Sequence, residues 1–219
     1  ACRGDYVAIL EGDDFWTSPH KLQRQADFLD NHPDYVIVFH PVYQLHEDTG
    51  ETQLFAPAVV KERYTLSDLV AGNFIGTCSV MFRNHLFADF PEWFQFVSAG
   101  DYPLHILNAE HGDIGYLPEP MATYRLHRGG VWSSQPKVEQ LQSTIQYTSI
   151  IRDYLAPRYA EELETKLALF YLRIVLAHLR THAPGAALRQ VARLLFAPPV
   201  ARAAFWRAWR LHRHQTKAV

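Results

Sequence analysis

The chain is poor in cysteine, with Cys2 and Cys78 alone among 219 residues. So few thiols exclude a disulfide framework, and a reducing, cytoplasmic setting is the expectation. No signal peptide is visible, and no apolar run approaches the roughly 20 residues needed to span a bilayer. There is no P-loop, no G-x-G-x-x-G and no G-x-S-x-G. His20, His32, His40, His46, His105 and His111 lack metal-ligand spacing to one another, which removes zinc and leaves them structural or superficial. Acidic residues are missing altogether after Glu164. The net charge of −2 hides that asymmetry: residues 1–150 carry nine Lys/Arg against nineteen Asp/Glu, and residues 151–219 carry twelve against four. The two parts are expected to meet different partners.

What is present reads as globular: 48% hydrophobic and 13% aromatic residues, in a length that suits one buried domain with an appendage. No Met opens the chain. Ala1–Asp5 reads as a helix end and a turn with Gly4 at the cap, so the expectation is a fragment lacking its preceding part.

Glu11-Gly12-Asp13-Asp14 follows the apolar run Tyr6–Leu10. Such a run is expected to be a parallel strand buried on both faces, and ligands of open α/β sheets bind beyond the carboxyl ends of strands. Three carboxylates in four residues repel one another. The edge is either an acidic surface turn or a site where hard oxygen ligands hold a divalent cation.

Farther along, Thr17-Ser18-Pro19 supplies a cap and first-turn proline for a helix from Lys21 to about Asn31, with Leu22, Ala26 and Leu29 at helical spacing. Strands are expected at Tyr35–His40, extended through Val42–Leu45, and at Thr77–Arg83. Glu47–Gly50 is a turn, and a short helix opens at Thr65. Another helix follows Gly100-Asp101 and stops at Gly112. Asp113–Leu117 and Met121–Leu126 are extended, and His127–Ser133 is a polar loop. Helical segments are expected near 137–155, 158–182, 185–196 and 200–214, divided by prolines.

Four stretches in this order resemble the family 2 glycosyltransferases of GT-A fold: Cys2–Gln25, Asn73–Met81, Gly100–Leu104 and Tyr124–Ser133. The resemblance covers about residues 1–134 and implies a partial GT-A domain, its metal and acceptor half, with 135–219 as a basic α-helical extension. It implies an inverting, metal-dependent transfer of a sugar from a nucleotide-sugar donor to a saccharide or lipid-linked acceptor hydroxyl, with Mn2+ or Mg2+ as cofactor. The acidic edge corresponds to the DxD-type motif, with Asp13 on the metal and Asp14 and Glu11 supporting metal or sugar; Glu11 replaces the usual first Asp. Asp101 corresponds to the catalytic base, although Asp after Gly at a helix start is also an ordinary N-cap. His127, flanked by Arg125 and Arg128, corresponds to a loop closing over the diphosphate, where imidazole would ligate the metal or donate to phosphate. Trp132 either covers a sugar ring or anchors the core.

Lys166–His182 carries an apolar stripe of Leu167, Phe170, Tyr171, Ile174, Leu176 and Leu179. Ala201–His214 sets Phe205, Trp206 and Trp209 among four arginines. It reads as a membrane-surface element at the inner face of the membrane or as a solvated basic face. Acceptors on nascent envelope polysaccharide would agree with the former. A binding or scaffold piece anchored through 199–219 is the alternative to an enzyme. Nucleic acid is not expected, since the body is acidic and no recognition motif is present.

Overall fold

Two units make up the chain, Ala1–Phe94 with Gly100–Ser134 and Gln95–Ala99 with Gln135–Val219. The computed structural model describes residues 2–180 together with Gly185, Leu188 and Val191.

The first unit is mixed α/β. Its strands are β1 (Tyr6–Ala8), β2 (Phe15–Trp16), β3 (Tyr35–Phe39), β4 (Val42–His46), β5 (Glu51–Phe55), β6 (Arg63–Tyr64), β7 (Met81–Arg83), β8 (Asp113–Tyr116) and β9 (Ala122–Leu126). Its helices are α1 (Lys21–Asn31), α2 (Leu66–Ala71) and α3 (Asp101–Ala109). One sheet runs β1-β7-β3-β8-β6 and the other β2-β9-β4-β5. Each has one parallel pair, β3 with β8 and β4 with β9.

Tyr6–Leu10 departs from expectation. Only Tyr6–Ala8 is strand; it lies at a sheet edge, antiparallel to β7, and is half-buried. The apolar run reflects packing of Tyr6 and Ala8 on Leu29, Val38 and Met81. Thr77–Arg83 is not one strand either. Thr77–Ser79 is a 3-10 turn, because the Gly76 carbonyl accepts both the Ser79 N–H at 2.9 Å and the Ser79 hydroxyl at 2.6 Å. Such a local bond competes with the sheet ladder, and strand begins only at Met81.

Helix α1 spans the predicted residues, but His20 is its N-cap and the Ser18 Oγ accepts the His20 N–H at 3.3 Å. Its inner face is Lys21, Gln25 and Leu29, whereas Leu22 is exposed. The buried polar pair satisfies itself: Lys21 Nζ donates to Gln25 Oε1 at 2.7 Å and lies 4.5 Å above the Trp16 ring. Gln25 Nε2 donates to the Ser79 carbonyl at 2.7 Å and the Val38 carbonyl at 3.2 Å. Phe28 fits close against β8 because position 115 is glycine; a Cβ there would stand 2.3 Å from Phe28 Cε1.

Thr65 and Asp68 close a capping box on α2, whose Leu69 carbonyl accepts the Tyr102 hydroxyl of α3 at 2.9 Å. Beneath β3, rings of Phe39, Tyr64, Phe74 and Tyr116 pack with centroids 4.7–6.3 Å apart. The inner face of the second sheet gathers Trp16, Val42, Phe55, Ala122 and Tyr124 around Cys78.

The second unit contains α4 (Lys137–Leu155) and α5 (Ala160–Arg180). Leu141 and Ile145 of α4 pack with Leu167 and Ile174 of α5, flanked by Phe170 and Tyr171, so most of the expected stripe is core. Leu179 is exposed. Expectations for 185–196 fall almost wholly, and those for 199–219 wholly, outside the described residues. Among the described residues no helix is long and apolar enough to cross a membrane.

Candidate active site

The Asp14 N–H donates to the Glu11 carbonyl at 3.2 Å, which folds residues 11–14 into a turn just before β2. Strand β2 pairs with β9, so the acidic turn lies beside the end of β9 and the loop that follows it. Arg125 and His127 exploit that neighbourhood. The Arg125 backbone N–H donates to Asp14 Oδ1 at 2.9 Å, and its guanidinium donates to the Asp13 carbonyl at 2.9 Å and to Glu47 Oε1 at 2.7 Å. Arg125 therefore braces the acidic turn from β9 and is neutralised by Glu47.

His127 Nε2 stands 3.0 Å from Asp13 Oδ2, and its Nδ1 is 3.2 Å from the Gly129 N–H. Since Nδ1 accepts from Gly129, the proton sits on Nε2 and is donated to Asp13. That bond holds the Asp13 carboxyl below its ordinary value. Glycine at position 130 lets the Ser133 hydroxyl sit close against the turn, since a Cβ there would fall 2.2 Å from the Ser133 Oγ.

The carboxylates differ sharply. Asp14 is buried, which raises its carboxyl, and its Oδ2 has no hydrogen-bond partner. Glu11 is exposed as a residue, yet partial burial of its carboxyl end and the charges of Asp14, Asp101 and Asp13 push it up to about 7. Asp101 therefore belongs to the same acidic field as the turn. It is the first residue of α3, whose N-cap is Gly100, and no side-chain cap bond is made there. Its Oδ2 accepts the Thr77 hydroxyl at 3.0 Å instead. The N-cap interpretation of Asp101 is thus not the arrangement observed.

Arg128 and Trp132 complete the predicted set. Arg128 is highly exposed and pairs with Asp48 at 3.1 Å, in the turn between β4 and β5. Trp132 is half-buried in the turn over 131–134. Two residues of the site went unnoticed in the sequence. Thr77 holds Asp101, and Tyr124 is pushed up to about 12 by burial and by Glu11, Asp14, Asp13 and Asp101 together, so it remains a neutral donor. The signal for Tyr124 was alternation in β9, which sends Ala122 and Tyr124 to the inner face with Trp16.

Among the described residues no three His, Cys, Asp or Glu side chains form a ready cage for a metal. The donor set nevertheless fits a hard divalent cation: a buried carboxylate oxygen without a partner beside a Glu11 carboxyl raised by burial and by the charges of Asp14, Asp101 and Asp13. Mg2+ is commonly held by one or two carboxylates plus substrate phosphates, not by an all-protein cage. Both His127 nitrogens are engaged, so the imidazole orients Asp13 in this arrangement instead of standing free as a ligand.

Residues 1–87 match the family described as Glycosyl transferase family 2. Uncharacterized protein Mb1547 of Mycobacterium bovis and uncharacterized protein Rv1520 of Mycobacterium tuberculosis are each 42% identical over 135 residues, which is 61% of this chain and 38% of the relative. The chain thus matches well under half the length of these relatives. Over residues 1–87, which hold the acidic turn, helix α1 and the Thr77 turn, the chain is similar to glycosyl transferase family 2.

Proposed function

We propose that this chain carries the metal and acceptor side of an inverting glycosyltransferase that moves a sugar from a nucleotide-sugar donor to a saccharide or lipid-linked acceptor hydroxyl. The observation that carries the reading is the shared acidic field of Glu11, Asp13, Asp14 and Asp101, with Asp101 turned away from its helix cap and onto Thr77. A structural acidic turn has no need of a fourth carboxylate from a helix more than 80 residues away.

Asp13 and Asp14 would hold the divalent cation, which would neutralise charge on the nucleoside-diphosphate leaving group. His127 keeps Asp13 ionised and oriented, and Arg125 keeps the turn in register. Asp101 accepts the proton of the acceptor hydroxyl as that oxygen bonds to the anomeric carbon. The bond from that carbon to the donor phosphate breaks, and its electron pair leaves with the diphosphate. Tyr124 offers a neutral O–H to substrate oxygens. Arg128 is paired on the surface with Asp48 and is given no role in the transfer.

The test is nucleoside-diphosphate release by the full chain from a panel of nucleotide sugars, with Mn2+ or Mg2+. Asp13→Ala should abolish release, and Asp101→Asn should leave donor binding intact while removing turnover. Retained turnover in Asp13→Ala would sink the assignment.

A further inference from the structure

The segment Gly76–Ser79 lies in the stretch Asn73–Met81 singled out by sequence, and beyond the contact of Thr77 with Asp101 it has no part in the chemistry so far. It is a short turn whose carbonyls are claimed by side chains from two other elements. Trp16 Nε1, two residues beyond Asp14, donates to the Cys78 carbonyl at 3.0 Å. Gln25 Nε2 of α1 donates to the Ser79 carbonyl at 2.7 Å and is itself held by the fully buried Lys21 at 2.7 Å. The Ser79 hydroxyl closes the turn on the Gly76 carbonyl at 2.6 Å. Cys78 and Ser79 are completely buried.

Buried polar networks whose members are satisfied fix one geometry, since breaking any bond leaves an unpaired group in a low-dielectric core. The turn is thereby tied through Trp16 to the strand that follows the acidic residues. At its exposed side it presents Thr77, whose hydroxyl donates to Asp101 Oδ2 at 3.0 Å. Among the described residues this is the hydrogen bond that the Asp101 carboxylate receives. Donation to Oδ2 leaves Oδ1 for another proton. Threonine suits the task because its β-branch stiffens χ1.

We propose that Thr77 is a positioning residue for Asp101: it orients the carboxylate so that Oδ1 faces the acceptor hydroxyl, on a turn that Trp16 and Gln25 lock to the acidic edge. The proposal rests on Asp101 as the base. Thr77 itself touches no substrate and acts through Asp101 alone.

The test compares the full chain with its Thr77→Val, Thr77→Ser and Asp101→Asn variants. Nucleoside-diphosphate release is followed with UDP-glucose, GDP-mannose and dTDP-rhamnose, water standing in for the acceptor. Thr77→Val should lower kcat at least tenfold, with the donor KM within twofold, and Thr77→Ser should restore kcat to within threefold. Thr77→Val turnover equal to the parent beside an inactive Asp101→Asn overturns the positioning role and leaves the base in place. Turnover retained by Asp101→Asn overturns the base and the positioning role together. If none of these donors is turned over, crystal structures of the Val and Ser variants decide. A carboxylate that swings away in the Val variant and returns in the Ser variant supports the proposal, and one that keeps its orientation in both overturns it.

Discussion

Arg125 donates its backbone N–H to Asp14 Oδ1 at 2.9 Å while its guanidinium reaches the Asp13 carbonyl at 2.9 Å, so a single residue of β9 holds two consecutive acidic residues far upstream in the chain. The backbone bond survives any substitution short of proline; the side-chain bond does not. Arg125→Ala should therefore keep Asp14 in place and loosen Asp13. It should cost about 1–2 kcal/mol in urea unfolding, as loss of a charge-assisted hydrogen bond does, and weaken donor binding more than it slows turnover. An unchanged midpoint and unchanged donor binding would show that the guanidinium is idle.

Lys21 is a buried cation whose partners are a neutral amide and a ring. Burial lowers its ammonium to about 8. Removing one partner of a buried hydrogen bond leaves the other unpaired in a low-dielectric core. Lys21→Met would strand the Gln25 Oε1 acceptor and should cost about 1–3 kcal/mol, read by chemical denaturation. Unchanged stability would show that the ammonium is not needed to hold Gln25.

His40 makes the fold sensitive to acid. Its Nδ1 donates to the Pro41 carbonyl at 2.8 Å, its Nε2 is buried without a partner, and burial lowers its value from 6.5 to about 4. Above pH 6.5 the ring is neutral whether folded or unfolded, and this stability is fully present. As pH falls from 6.5 toward 4 the unfolded chain takes up a proton that the folded one resists, and stability is lost. The loss attributable to His40 should be about 3 kcal/mol. His40→Gln should flatten that part of the stability–pH curve, and an identical slope in both proteins would reassign the acid sensitivity.

Gly115 gives α1 its close seat on β8. Gly115→Ala would drive a methyl into Phe28 and should cost about 1–3 kcal/mol as overpacking. Phe28→Leu in the same chain should recover much of that loss, so the two changes should not add. Additivity within about 0.5 kcal/mol would show that the clash is relieved elsewhere.

Much of this was legible from residue types, and the departures have local causes. The opening of a short helix at Thr65 and the extents of α1 and α4 followed from apolar spacing and the bounding prolines. The expected Thr17-Ser18-Pro19 cap gave way to His20, and α3 ends at Ala109, short of Gly112. Counting apolar residues put Leu22 inside α1, whereas Lys21 and Gln25 take the inner face because their mutual bond makes polar burial tolerable. Strand β5 is Glu51–Phe55, too polar to signal a strand, and it exists because β4 offers an antiparallel edge across the Gly50 turn, where φ is +73°. The acidic turn and Asp101 were visible as residue types; the contacts that join them were not, since they run through Trp16 and the Thr77 turn. Thr77 was hidden for the same reason, because its partner lies 24 residues away on another element.

The most direct test of the account is Asp101→Asn against the parent chain, reading donor binding and nucleoside-diphosphate release in the same samples with Mn2+. The account predicts unchanged donor affinity and turnover reduced by at least a hundredfold, as expected when a general base is removed. Turnover within threefold of the parent, or loss of binding together with turnover, would contradict it.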